Sequence, residues 1–124
     1  MAGNSWQQPV AGEPSCGTLH WHSAVIYNAD VADTNWHSID LSAQIPAGAK
    51  AVKCHYEFTS TGSHYIRFSN ASAGTTYHQA DCPIANGYAT GQFDCPISSD
   101  LKLWWIGQSA SIGTLTLTLD GYFI

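Results

Sequence analysis

Apolar and polar residues alternate with a period of two along several short stretches, and that spacing belongs to strands with one face turned inward. The clearest case is residues 50–60, where Val52, Cys54, Tyr56 and Phe58 interleave with Lys53, His55, Glu57 and Thr59. In residues 112–124, Leu115, Leu117, Leu119 and Phe123 alternate with Thr114, Thr116 and Thr118, whose branched Cβ suits a pleated surface. Over residues 18–27 the same pattern puts Leu19, Trp21, Val25 and Tyr27 on one side and His20 and His22 on the other, which predicts the first set inside.

Shorter strands are predicted over residues 36–41, 64–69, 76–80, 91–97 and 101–106. Ile66 and Phe68 suggest that 64–69 turns back through Gly62 to form a hairpin with 50–60. Residues 28–35 read as a polar loop. Pro46 and Gly48 mark a turn, since proline fixes φ and glycine accepts positive φ. Asn86-Gly87 and Ser98-Ser99-Asp100 mark two more. Seven to nine strands with no amphipathic helix predict an all-β fold, an antiparallel β-sandwich of jelly-roll type. Residues 1–17, with Pro9, Pro14 and three glycines, read as an extended N-terminal arm, leaving 18–124 as a single sandwich domain.

Composition sharpens this picture. A chain of 124 residues supports one core. Only 10% of the residues are charged, against about 25% in an ordinary soluble domain, so the surface is mostly neutral polar. Hydroxyls and amides cost less to desolvate than ionised groups, so such a surface suits lasting contact with a partner. Nine acidic residues against four basic ones, a net charge of −5, speak against nucleic acid and against an acidic membrane. No transmembrane run is present. Residues 1–15 lack the basic start and apolar stretch of a secretory signal, so the expectation is synthesis in a cytosol and release by another route, such as lysis.

Candidate chemistry is sparse. Of four cysteines, Cys54 lies on the inward face of its strand. Cys82 and Cys95 occur in a repeated Asp-Cys-Pro-Ile and could form a disulfide, remain buried thiols or, with His78, ligate a metal. Tight ligand pairs such as CxxC are absent, so no metal is expected. Asn28, Asp30, Asp33 and Asn35 could cage calcium, but they lack the EF-hand order and read as a solvated turn. No GxSxG, HExxH or phosphate-binding loop occurs, so neither enzymatic activity nor a cofactor is expected. Five tryptophans, Trp6, Trp21, Trp36, Trp104 and Trp105, raise the possibility of a sugar platform, because an indole stacks on the apolar face of a ring. Trp104 and Trp105 must face opposite sides of one strand, which leaves one of them for an interface.

Residues 36–52 carry a resemblance. Trp36 stands ahead of Asp40-Leu41-Ser42, and Pro46-Ala47-Gly48-Ala49-Lys50-Ala51-Val52 leads into a strand, a pattern that resembles phage tail-fibre and head-decoration domains. The ending Leu119-Asp120-Gly121-Tyr122-Phe123-Ile124 is similar to their closing strand. The resemblance covers roughly the last ninety residues, and four cysteines depart from it. It implies a β-sandwich component of a bacteriophage virion, often trimeric, that binds capsid, tail or host surface without chemistry. The short chain favours a capsid decoration or cement protein, with the major capsid or tail protein as partner. Trp6, Pro9 and Val10 of the arm, with Trp104, are the expected contacts. The alternative is a carbohydrate- or host-receptor-binding module of tail-fibre-tip type using exposed Trp or Tyr; a third reading is a disulfide-stabilised inhibitor or toxin-like domain.

Overall fold

A computed structural model describes residues 17–73 and 75–124. The arm contacts Trp6, Pro9 and Val10, and Cys16, lie outside the described residues. Eight strands follow one another: β1 (Leu19–Asp30), β2 (His37–Asp40), β3 (Ala51–Ser60), β4 (His64–Ser69), β5 (His78–Cys82), β6 (Gly87–Pro96), β7 (Lys102–Gly107) and β8 (Ile112–Phe123). They build two antiparallel sheets, sheet A in the order β1-β8-β3-β6 and sheet B in the order β2-β7-β4-β5. Each strand pairs with its mirror along the chain: β1 with β8, β2 with β7, β3 with β6 and β4 with β5. One long antiparallel ribbon is thus rolled into two layers, and the fold is a jelly roll.

The two-residue period decides what fills the space between the layers. Sheet A contributes Val52, Cys54 and Phe58 of β3 and Leu115, Leu117 and Leu119 of β8, each at most 1% exposed. Sheet B answers with Ile66, Phe68, Leu103 and Trp105, exposed to the same small degree. Each such side chain stabilises the fold by about 1.5–3 kcal/mol relative to leaving it in water. Phe68 of sheet B stacks on Phe93 of sheet A with centroids 4.2 Å apart and planes 18° from parallel, which locks the layers together. The turn before β3 behaves as its residues require. Ala49 N–H donates to Pro46 C=O at 3.2 Å, Gly48 takes a φ of 91°, and Leu41 and Ile45 tuck beneath the sandwich.

Three expectations are corrected. The turn at Gly62 does not close a hairpin: β3 lies between β8 and β6 in sheet A, whereas β4 lies between β7 and β5 in sheet B, so the chain crosses between layers. Residues 28–30 extend β1 instead of starting a loop, with Asp30 opposite Thr114. Trp21 and Val25, expected inside, are 73% and 63% exposed. The cause is a pair of register shifts in β1, between Trp21 and Ala24 and between Val25 and Tyr27. Each bulge breaks the alternation, and a one-residue slip turns the following side chains over.

Candidate functional site

Sheet A turns one face outward, and its side chains come from all four strands. Thr114, Thr116, Thr118 and Asp120 alternate with the core leucines of β8, and Lys53, His55, Glu57 and Thr59 do the same on β3. Against the β1 edge this face dips into a cleft of about 530 Å³ lined by Trp21, His22, Ser23, His55, Gln92 and Asp120, within the range of small-molecule sites. The bulge after Trp21 shapes it: extra residues opposite β8 throw the indole out of the layer and make it the rim of the cleft.

The floor is held by a hydrogen bond across strands. His55 Nδ1 lies 2.8 and 2.9 Å from the two carboxylate oxygens of Asp120, 65 residues away in sequence. A proton on Nδ1 satisfies that carboxylate, which fixes the ring and leaves Nε2 as its other polar atom. His22 Nε2 lies 2.9 Å from Gln44 Oε1, which steadies the near wall. Alongside, Lys53 Nζ pairs with Asp94 Oδ1 at 2.9 Å. Ser23, His55 and Asp120 share the cleft, but no hydrogen bond among the described residues joins the Ser23 hydroxyl to the imidazole. The arrangement therefore offers an oriented donor–acceptor set beside an indole.

Farther along the same face, Glu57, Thr59, Tyr88, Thr114 and Thr116 border a second hollow of about 290 Å³. Tyr88 is 61% exposed, and its hydroxyl donates to the Glu57 carboxylate, which holds the phenol proton more firmly than usual. Thr114 and Thr116 hydroxyls donate to Asp30 and Asn28 at 2.7 and 3.2 Å. Thr59 lies four positions beyond His55 on β3, about 13 Å along the strand. An aromatic ring thus stands toward each edge of a neutral, hydrogen-bonding surface.

The residues singled out from sequence fall elsewhere. Trp105 is buried, while Trp104 faces outward from sheet B, half-buried, opposite Ser38 and Ser69. Cys82 and Cys95 are separate buried thiols, so the disulfide alternative is corrected. A Cβ placed on Gly87 would lie 2.8 Å from Cys82 Sγ, so Cys82 sits at the start of β6. Cys95 is eight residues farther along that strand, about 26 Å away, whereas bridged cysteines have Cα atoms about 4.4–6.8 Å apart. Their thiols donate instead to the carbonyls of Ile84 and Pro96. Burial pushes Cys95 up to about 12 and raises Cys54 further.

Among the described residues no three His, Cys, Asp or Glu side chains converge as a metal site would require. His78 lies parallel to Phe93 at 5.3 Å. In the 28–35 region, Asp33 accepts from the Asn35 backbone N–H at 2.9 Å and lies 2.8 Å from His37 Nε2, contacts that hold its pKa below the usual carboxylate range. Sequence reasoning did not place Trp21 outside or join His55 to Asp120. The first depends on a bulge and the second on pairing between distant strands.

No protein-family model matches the chain, and no curated protein matches it. Among solved structures, it is similar to a carbohydrate-binding module of lichenase 5A from Cellvibrio mixtus in complex with cellotriose, with 12% identity, 75% of this chain and 76% of that one covered, and a TM-score of 0.48. It is also similar to the globular domain of zebrafish complement 1qA protein, with 15% identity, 86% and 93% covered, and a TM-score of 0.45. A third similarity is to the tobacco streak virus coat protein dimer, with 10% identity, 86% of each chain covered, and a TM-score of 0.44.

Proposed function

We propose that this domain is a non-catalytic recognition module whose outer sheet A face binds a polyhydroxylated chain, a glycan. The observation that carries the reading is Trp21, a large apolar side chain 73% exposed on the rim of a cleft whose floor is an oriented imidazole–carboxylate pair. An indole left in water gains by covering its face with the C–H side of a sugar ring. His55, Gln92 and Asp120 then offer donors and acceptors to ring hydroxyls, and the threonines of β8 continue that surface toward Tyr88. Neutral hydroxyls and amides give up their water at small cost, which suits a ligand that is itself neutral and hydroxyl-rich. A glycan array on the isolated domain, followed by calorimetry on the best binder, tests this. Trp21→Ala should weaken binding by about thirtyfold with the fold intact; an array with no binder for the unmodified domain overturns the proposal.

A second reading places the domain on a bacteriophage virion as a decoration or cement protein, and it draws on the resemblance around residues 36–52 and the 10% charge content. Arm residues Trp6, Pro9 and Val10, with Trp104, would then join a capsid or tail protein, and copies would associate, as trimers in the related case. Detection in purified particles, with native mass measurement of the assembly, supports it. A monomer absent from particles refutes it.

A further inference from the structure

Sheet B carries a separate hollow on its own outer face, about 250 Å³ in volume. Thr34 and Trp36 from the segment before β2, Tyr65 and Arg67 of β4, and Ile106 and Gln108 at the end of β7 border it. Arg67 is held rigidly. Its guanidinium carbon sits 4.3 Å from the centre of the Tyr65 ring, and Nε donates to Gln79 Oε1 at 2.8 Å. Gln79 is oriented in turn, because its amide nitrogen donates to Asp81 Oδ1 at 3.0 Å. No carboxylate among the described residues forms an ion pair with Arg67, so the two terminal nitrogens keep their donors.

The other polar groups around the hollow also donate. Gln108 Oε1 already accepts from the Tyr65 backbone N–H at 3.1 Å, which leaves the amide nitrogen as its open end. The Gln108 backbone N–H donates to Tyr65 C=O at 2.9 Å and fixes that loop against β4. An indole N–H and a guanidinium are donors only, and the Thr34 hydroxyl can take either role. Asp33, the acid nearest in sequence, spends its carboxylate on Asn35 and His37. Trp36, Tyr65 and Ile106 add apolar surface.

We infer that this hollow is a recognition site for a carboxylate carried on a sugar ring, the uronic-acid class. The guanidinium meets the carboxylate in a two-pronged contact, Gln108 and Trp36 supply further donors, and the ring rests on the aromatic side. With a net charge of −5 the molecule repels anions at a distance, so an anion site on it depends on fixed local donors such as these. The site stands on the opposite sheet from the Trp21 cleft, so it does not rest on the function proposed for that cleft.

The test is a nuclear magnetic resonance titration of the full chain with D-glucuronate and, in parallel, with D-glucose, read at the Trp36 indole N–H and the Gln108 side-chain amide. Glucuronate should bind at least tenfold more tightly than glucose. Arg67→Gln should remove that preference, and Gln108→Glu, at an exposed position, should weaken glucuronate at least tenfold by setting a carboxylate against it. Trp21→Ala should change neither. Equal affinity for the two sugars, no shift with millimolar glucuronate, or a glucuronate preference that survives both sheet B variants would overturn the inference. Loss of glucuronate binding in Trp21→Ala alone would overturn it as well, by moving the ligand to sheet A.

Discussion

Replacing Trp105 with alanine should bring the domain close to unfolding, whereas the same change at Trp21 should leave its stability almost untouched. Trp105 is 1% exposed, stacks on His37 with centroids 4.7 Å apart and meets Tyr27 at 5.0 Å, so truncation opens a cavity between the layers. Buried Phe or Trp to Ala changes cost about 3–5 kcal/mol. At about 2.1 cal/mol/K per residue, unfolding entropy comes to about 0.26 kcal/mol/K for this chain, so each kcal/mol shifts the midpoint by about 4 °C. Trp105→Ala should therefore melt about 11–19 °C lower, and Trp21→Ala, a surface change worth within about 0.5 kcal/mol, should stay within about 2 °C. Calorimetric titration with the preferred glycan should invert that order. Losing an aromatic anchor of about 2 kcal/mol weakens binding by about thirtyfold. Thermal melts followed by circular dichroism, together with that titration, check both halves. A Trp21→Ala protein melting ten degrees low, or a Trp105→Ala protein melting normally, would refute the assignment of Trp105 to the core and Trp21 to the surface.

Acid should weaken the fold through His78. Burial against Phe93 and Phe68 lowers its pKa, with Asp81 pulling weakly the other way, and its Nε2 is enclosed without a hydrogen-bond partner among the described residues. The unfolded chain takes up that proton near the ordinary value of about 6.5, so stability is complete above it and falls as the pH drops through the lowered folded value. Urea midpoints at pH 7 and pH 5 should differ less for His78→Phe than for the parent; an unchanged difference rules His78 out. Gly91→Ala should cost about 1–3 kcal/mol, the usual range for overpacking, because its new Cβ would lie 2.6 Å from the hydroxyl and 2.9 Å from the ring of Tyr56, a core residue. A melt unchanged by that substitution would show that β3 and β6 can separate. Thiol titration followed by peptide mapping should find Cys54, Cys82 and Cys95 unmodified in the native protein and modified in denaturant, since thiols buried in apolar surroundings are inert. Native modification of Cys54 would contradict its place in the core.

Alternation in β3 and β8 was legible because each is an inner strand of sheet A with one face in the core, so Cys54 and Leu117 had to point inward and His55 and Thr116 outward. Adjacent Trp104 and Trp105 were separable for the same geometric reason. Pairing was not legible. Phe58 and Phe68 both point inward, yet from opposite layers, and nothing local at Gly62 distinguishes a hairpin from a crossing. Cys82 and Cys95 share a tetrapeptide context, but their separation is set by the length of β6, whose start at Gly87 falls ahead of the stretch with clear alternation. The candidate site was hidden twice. Trp21 is outside because β1 bulges, and bulges are a property of the paired ladder; His55 finds Asp120 because β8 lies beside β3, a contact between residues 65 apart.

The place of β8 bears on how the domain is made. Its residues 112–123 are the last to be synthesised among the eight strands, yet they lie inside sheet A between β1 and β3. A nascent chain halted before residue 112 would hold the facing edges of β1 and β3 open, two rows of unpaired backbone groups of the kind that invite aggregation. The ribosome must therefore release nearly the whole domain before its first strand acquires a neighbour. Long-range closure of that sort places folding in the slow range, about milliseconds to seconds.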